Sequence, residues 1–174
     1  MKRLRVAYAD PPYLGQAHRY DHPRARDYNT IAGHARLLDR LVASYPDGWA
    51  YSLSSSSLQQ ILPLCPPDVR VGAWVKPFAI FKPGVNPAYC WEPVIFRGGR
   101  RRGRDHDTTR DFLSANITLR TGTHGAKPEA FAVWIFDLLG LEPGDRLDDL
   151  FPGSGAVTAA WRRWKKSRLE RSDS

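Results

Sequence analysis

Apolar positions recur along this chain with two different periods, and the switches between them mark out alternating strands and helices. Leu4, Val6 and Tyr8 alternate with polar or small neighbours until the run stops at Pro11-Pro12. Aromatic and β-branched residues suit a pleated surface, and proline has no N–H for a ladder and pushes the residue before it out of the helical region. A buried strand therefore ends at Asp10. Next, Ile31, Ala35, Leu38, Leu41 and Val42 recur at helical spacing, with Asn29 or Thr30 as the cap and Pro46-Asp47-Gly48 as the stop. A strand over 49–53 follows, then a second helix opened by the serine run at 54–57, carrying Leu58, Ile61 and Leu62 and broken by Pro63. Strands over 69–75 and 91–96, joined by a Pro- and Gly-punctuated loop, are spaced for an antiparallel pair, and Pro93 moves the second of them toward an edge. Residues 112–119 read as a short strand or an irregular stretch. Pro128 and Glu129 then open a strong helix with Phe131, Trp134, Ile135, Leu138 and Leu139 on one face, ended by Gly140. A strand over 146–151 runs into Pro152-Gly153-Ser154-Gly155 and a last helix from Ala156, with Trp161 and Trp164 turned to the core. The alternation predicts an α/β fold.

Two of these strand ends carry candidate chemistry. In open α/β sheets, ligands bind outside the carboxyl ends of the strands, which is where Asp10 falls, followed by Pro11, Pro12 and Tyr13. The prolines stiffen the turn, the carboxylate and a backbone carbonyl offer acceptors, and the Tyr13 ring offers a stacking surface; the same four residues also make an ordinary strand-ending turn. At the other junction, a Gly-Ser-Gly turn between strand and helix lets backbone approach a nucleotide-like ligand closely and presents amides at the helix start.

Three polar segments are left outside the periodic pattern. Residues 14–29 hold His18, Arg19, Arg24 and Arg26 among tyrosines and aspartates, and are expected to form a loop beside Asp10 that covers a ligand or touches phosphates, or a plain connection. His18 and His22 have no third ligand-type neighbour at metal spacing, so no metal is expected. Residues 97–110 carry six arginines, three glycines and no apolar side chain. They are expected to be a mobile loop, with Arg97, Arg100, Arg101, Arg102 and Arg104 suited to phosphate contacts or simply solvated. Lys76, at the end of the 69–75 strand, joins the candidate nucleic-acid contacts, and 165–174 form a basic, fraying tail.

Composition narrows the partners. A chain of 174 residues with 42% hydrophobic content suits one domain over 1–174 with a real core. Its net charge of +8 favours a polyanion such as DNA or RNA over an acidic partner. Cys65 and Cys90 are too few for a disulfide framework and lack C-x-x-C spacing, so a soluble protein of a reducing cytoplasm is expected. No stretch approaches a membrane span.

Together these pieces resemble S-adenosylmethionine-dependent amino-methyltransferases, in a circularly permuted form that places the catalytic motif before the cofactor motif. Asp10-Pro11-Pro12-Tyr13 is similar to their catalytic D-P-P-Y, and the segment Asp149, Leu150, Phe151, Pro152, Gly153, Ser154, Gly155 to the D-x-F-x-G-S-G cofactor motif of beta-class DNA methyltransferases. Lys127-Pro128-Glu129 resembles the cofactor-contacting K-P element of that class and of the MT-A70 family, whose W-V-K strand end and Glu-containing strand are matched by Trp74-Val75-Lys76 and by EPVIFRG from Glu92 to Gly98.

The resemblance implies a Rossmann-like class I methyltransferase sheet, mostly parallel with an antiparallel edge pair, and S-adenosylmethionine as cofactor. It places Asp10, Pro11, Pro12 and Tyr13 on the target amine. Asp10, Lys127, Pro128, Asp149, Leu150, Phe151, Gly153, Ser154 and Gly155 then line the cofactor pocket. Asp at the first motif position implies N6-methylation of adenine in DNA, with RNA adenine, or a non-catalytic nucleic-acid-binding scaffold, as alternatives. The family's acidic strand for the cofactor ribose, which usually follows the first cofactor strand and helix, has no counterpart here, so the fold is expected to be truncated after that helix. No separate target-recognition domain is evident, which leaves room for a specificity partner or a homo-oligomer.

Overall fold

The computed structural model describes residues 2–20, 25–78, 83–117 and 127–172. Its strands are β1 (Arg5–Ala9), β2 (Gly48–Ser52), β3 (Arg70–Val75), β4 (Trp91–Gly98), β5 (Phe112–Ser114) and β6 (Arg146–Asp149); its α-helices are α1 (Ile31–Ser44), α2 (Leu58–Ile61), α3 (Glu129–Leu138) and α4 (Ala156–Ser172). The six strands form one sheet in the order β5-β3-β4-β2-β1-β6. β1 lies parallel to β2 and β6, and β3 lies parallel to β5, while β4 runs antiparallel to both of its neighbours. Every strand except β4 therefore points its carboxyl end to the same rim.

The expected antiparallel pair is present, but β4 runs inside the sheet and not along its edge. Pro93 is tolerated there because of register. It faces Ala73, whose N–H turns away to the Asp111 carbonyl (2.9 Å), and its own carbonyl accepts from Leu53, the first residue past β2 (3.3 Å). The missing proline N–H falls where the neighbouring strand has just ended, so no ladder bond is lost in the middle of the sheet.

Alternation along the strands builds two cores. Val6, Tyr8, Val94 and Phe96 pack with Phe131, Trp134, Phe136, Trp161 and Trp164 from α3 and α4. On the other face Ala7, Ala9, Trp49, Tyr51 and Ile95 pack with Leu37, Leu38, Leu41 and Ile61 from α1 and α2. The Thr30 hydroxyl caps α1 by accepting from the Gly33 N–H (3.1 Å), and Asn29 instead accepts from Ala17. Ile31, on the periodic face of α1 in the sequence, is exposed in the first turn. Helix α3 ends in paired bonds from Gly140 N–H to Asp137 and from Leu141 N–H to Phe136, with Gly140 at φ +60 as the left-handed residue that this stop requires. α4 stays helical through the basic segment to Ser172.

The rim opposite the parallel strand ends is fastened by a buried carboxylate. Asp145 accepts from the N–H groups of Leu4 (2.7 Å) and Glu142 (2.8 Å) and from the Arg100 guanidinium at 2.8 and 3.0 Å. Arg97 lies in β4, and its Nε donates to both carboxylate oxygens of Asp68 at 2.8 and 2.9 Å. The expectation of a free arginine loop over 97–110 is thus corrected at its start: Arg97 and Gly98 belong to a strand, and Gly99 and Arg100 bond to the Asp47 and Leu139 carbonyls. The cause is the direction of β4, which delivers this segment to the rim where β1 and β6 begin, beside Lys2 and Asp145. Among the described residues no helix is long and apolar enough to cross a membrane.

Candidate active site

Two strand ends meet at the rim formed by the parallel strands. Tyr8 is in register with Asp149, and the Leu150 N–H continues the ladder to the Tyr8 carbonyl at 2.9 Å. The turn after β1 and the turn after β6 therefore sit side by side, although about 140 residues separate them. Between them lies a cavity of about 610 Å³, within the size range of small-molecule sites, with Asp10, Pro12, Lys127, Phe151, Gly153 and Ser154 in its wall.

An ion network backs Asp10. The Lys127 ammonium lies 3.3 Å from the Asp10 carboxylate and 2.9 Å from Glu92, and donates to the Tyr13 hydroxyl at 2.9 Å. Tyr13 donates in turn to Glu92 at 2.8 Å, and Lys76 closes the chain with an ion pair to the other Glu92 oxygen. The rings of Tyr13, Trp74 and Phe131 each lie 5.5 Å from the Lys127 ammonium, which leaves the cation enclosed by acids and aromatic faces. Two carboxylates and two ammonium groups balance in charge, as burial requires.

This environment sets the protonation states. Burial raises the Asp10 carboxyl above its ordinary value; Lys127 opposes that rise and Glu92 adds to it. Burial would raise Glu92 as well, but Lys127 and Lys76 outweigh it and hold that carboxyl at about 2. Lys127 is raised by Asp10 and Glu92 against the effect of burial, so it stays an ammonium. Burial pushes the Tyr8 and Tyr13 phenols well above their ordinary value, leaving both neutral.

The β6 side supplies a second acid and an open turn. Asp149 accepts from the Thr158 hydroxyl at 3.0 Å, while its other, buried oxygen has no partner among the described residues, and burial raises its carboxyl. Gly153 (φ +47) and Gly155 (φ +74) curl the chain into α4. Among the described residues a Cβ at Gly153 would approach nothing closer than 3.9 Å, which leaves room over this turn for a ligand.

The described part of segment 14–29 lies beside the site. Tyr20, Ala25 and Tyr28 reach the cavity wall, and Tyr28 packs edge-on against Phe151 at 5.1 Å. Its backbone is held from below: buried His34 donates from Nε2 to the Tyr28 carbonyl (2.9 Å) and accepts at Nδ1 from Tyr51, and burial lowers its pKa, consistent with a neutral ring.

Not all expected residues take the expected places. Tyr13, read as the stacking ring, is anchored through its hydroxyl, and Tyr20 and Tyr28 present rings to the cavity in its stead. Lys76, read as a nucleic-acid contact, is engaged by Glu92. Arg97 and Arg100 are ion-paired at the opposite rim, and Arg102 is half-buried with its guanidinium 3.5 Å from the Leu141 carbonyl. His18, Arg19, Arg26, Arg101 and Arg104 are exposed; Arg24 and His22 lie outside the described residues. Glu92 is the chief residue that motif reading left unassigned, although the Glu-containing strand was its signal.

No family model and no curated protein sequence matches the chain. Among solved structures it is similar to the crystal structure of the M1.HpyAVI–SAM complex, with a TM-score of 0.59 and 16% identity, covering 92% of this chain and 78% of that one. It is also similar to the crystal structure of M1.HpyAVI, with a TM-score of 0.55 and 15% identity, covering 94% and 77%. The chain has the fold of M1.HpyAVI. The Rossmann-like methyltransferase sheet implied by the motifs is thus the architecture of this chain, with an antiparallel strand set among parallel ones.

Proposed function

We propose that this chain is a single methyltransferase domain, circularly permuted, that uses S-adenosylmethionine to methylate the exocyclic N6 amine of adenine in DNA. The observation that carries the reading is the shared cavity, which the D-P-P-Y turn and the D-x-F-x-G-S-G turn line from adjacent parallel strands. The residues present fit the cofactor: an open glycine turn and a Lys127 side chain in the cavity wall, with a buried Asp149 oxygen, unpartnered among the described residues, at the strand end just before that turn. Phe151, Gly153 and Ser154 would hold it. When bound, S-adenosylmethionine supplies an electrophilic methyl group for direct in-line transfer.

The amine of adenine is a poor nucleophile because its lone pair is delocalised into the ring. Asp10 and the Pro11 carbonyl accept its two hydrogens and draw the nitrogen toward a tetrahedral geometry, with the acceptors fixed in advance by the proline turn. Lys127 opposes the effect of burial on Asp10, favouring the anion that accepts. One amine proton leaves to Asp10 or to water. Tyr20, 40% exposed at the cavity, offers the ring on which the unpaired target base stacks.

The test is incubation with labelled cofactor and matched DNA and RNA, followed by nucleoside mass spectrometry. N6-methyladenosine in RNA alone would move the substrate to RNA, and no transfer together with no calorimetric heat from the cofactor would leave a nucleic-acid-binding scaffold. Asp10→Ala is expected to lower transfer at least about a hundredfold while cofactor affinity changes little, since a positioned acid–base group contributes roughly that much or more. Retained transfer would remove Asp10 from the chemistry.

A further inference from the structure

Helices cover the sheet unevenly. On the face of α1 and α2 those helices pack over β1, β2 and the middle of β4, whereas among the described residues no helix lies above β3, β5 and the start of β4. The register shows which side chains point there. Val71 faces Ile95, Ala73 faces Pro93 and Phe112, and Val75 faces Trp91; since Ile95 belongs to the α1 core, these side chains share its face. The intervening residues Gly72, Trp74, Glu92 and Leu113 turn to the α3 side, where Gly72 abuts Trp134.

The result is an exposed apolar patch of unusual make-up. Eight large hydrophobic side chains are exposed among the described residues; Val71, Trp91 and Phe112 fall on this face, and Phe78 and Tyr89 lie in the segments that leave β3 and enter β4. Four of the five are aromatic, and Phe78 (68% exposed) and Tyr89 (62%) stand where the chain leaves β3 and re-enters at β4, bridged by the Lys76 N–H to the Cys90 carbonyl at 2.7 Å. Trp91 precedes Glu92 at the start of β4, so the patch reaches the rim that holds the cavity, on the sheet face opposite the Glu92 network. Arg110 borders it, with its guanidinium 5.8 Å over the Phe112 ring.

We propose that this uncovered sheet face is a stacking platform for unpaired bases flanking the target nucleotide, so that the substrate of the active site is single-stranded nucleic acid. The inference rests on the methyltransferase reading for its target base, but the platform has its own test. Flat aromatic rings on a rigid sheet take up base faces without regard to sequence, and a bordering arginine suits the phosphate between them. Phe112 and Trp91 lie on strands two spacings apart and two residues out of register, about 12 Å in all, a span that a short run of extended nucleotides covers. A second copy of the chain is the poorer occupant, because each copy carries a net charge of +8 and the two would repel.

The experiment measures fluorescence anisotropy of labelled single-stranded and duplex oligonucleotides of one sequence, as DNA and as RNA, with the full chain. The double variant Trp91→Ala/Phe112→Ala is expected to lose at least tenfold in affinity for single strands, with a smaller loss for duplex. Trp91→Phe/Phe112→Tyr, which keeps the rings, is expected to stay near wild type. Both side chains are exposed, so unchanged circular dichroism and melting establish that the variants fold. Unchanged single-strand affinity in the alanine variant would overturn the platform, and so would a wild-type dimer in sedimentation that the variant abolishes without loss of nucleic-acid affinity. Cofactor calorimetry on the wild type separates the two readings: lost stacking with no cofactor binding keeps the platform and rejects the enzyme, and intact stacking variants with methyl transfer do the reverse.

Discussion

Substituting Glu92 by Gln tests the ion network with almost no change of shape. In the native protein one Glu92 oxygen accepts from Lys127 and Tyr13 while the other meets Lys76, and the side chain is only 17% exposed. The distance from the ordinary glutamate value of 4.5 to about 2 corresponds to about 3 kcal/mol of preference for the ionised form in the folded state. Removing that charge also leaves two ammonium groups facing one carboxylate, Asp10, so a loss of about 3 kcal/mol at pH 7 is expected. For a chain of this length that lowers the melting temperature by about 6–12 °C. The sign with pH follows from the direction of the shift. A carboxyl held low in the folded state contributes fully above about 4.5 and loses its contribution as pH falls toward 2. Guanidinium unfolding at pH 7, 5, 4 and 3 should therefore show wild type and Glu92→Gln converging in acid. Asp47 and Asp68, held low by hydrogen bonds from Lys2 and Arg97, titrate over the same range in both proteins and cancel in the difference. A variant as stable as wild type at pH 7, or a gap that does not narrow in acid, would refute the network as described.

Two further predictions concern the opposite rim. Asp145→Ala removes the acceptor of two backbone N–H groups and the bidentate partner of Arg100, and is expected to cost about 3–5 kcal/mol in denaturant unfolding. A loss under 1 kcal/mol would mean that solvent replaces those bonds. Gly140→Ala places a Cβ 2.6 Å from the Arg100 carbonyl at a left-handed φ and is expected to cost more than 1 kcal/mol, whereas Gly144→Ala, with nothing within 4 Å, is expected to be neutral or to stabilise by about 0.5 kcal/mol. Equal melting temperatures for the two variants would contradict this account of the helix stop.

What the sequence disclosed depended on how local each signal was. Proline at 11 and 12 punctuates β1 by itself, and Gly140 ends α3 by itself, so those boundaries could be read directly. The adjacency of Tyr8 and Asp149 involves residues far apart in the chain, and only the order of motifs hinted at it. Arginine content announced a basic chain without saying where each guanidinium goes. Because β4 alone is reversed, Arg97 and Arg100 arrive at the far rim and bind Asp68 and Asp145. Glu92 was obscured for a similar reason: a lone acid at the start of an apolar strand gains its role only when β4 brings it beside Lys127. Tyr20 and Tyr28 were inside the expected loop, but nothing in their spacing distinguished them from Tyr13.

The fastening of Leu4, Arg100 and Glu142 to Asp145 has an evolutionary side. The groups that anchor the framework and those assigned to the reaction occupy opposite ends of the same strands. Loops at the cavity end can thus be lengthened or exchanged while the foundation beneath them is left alone, and a chimera that transplants only those loops should inherit a scaffold already able to fold.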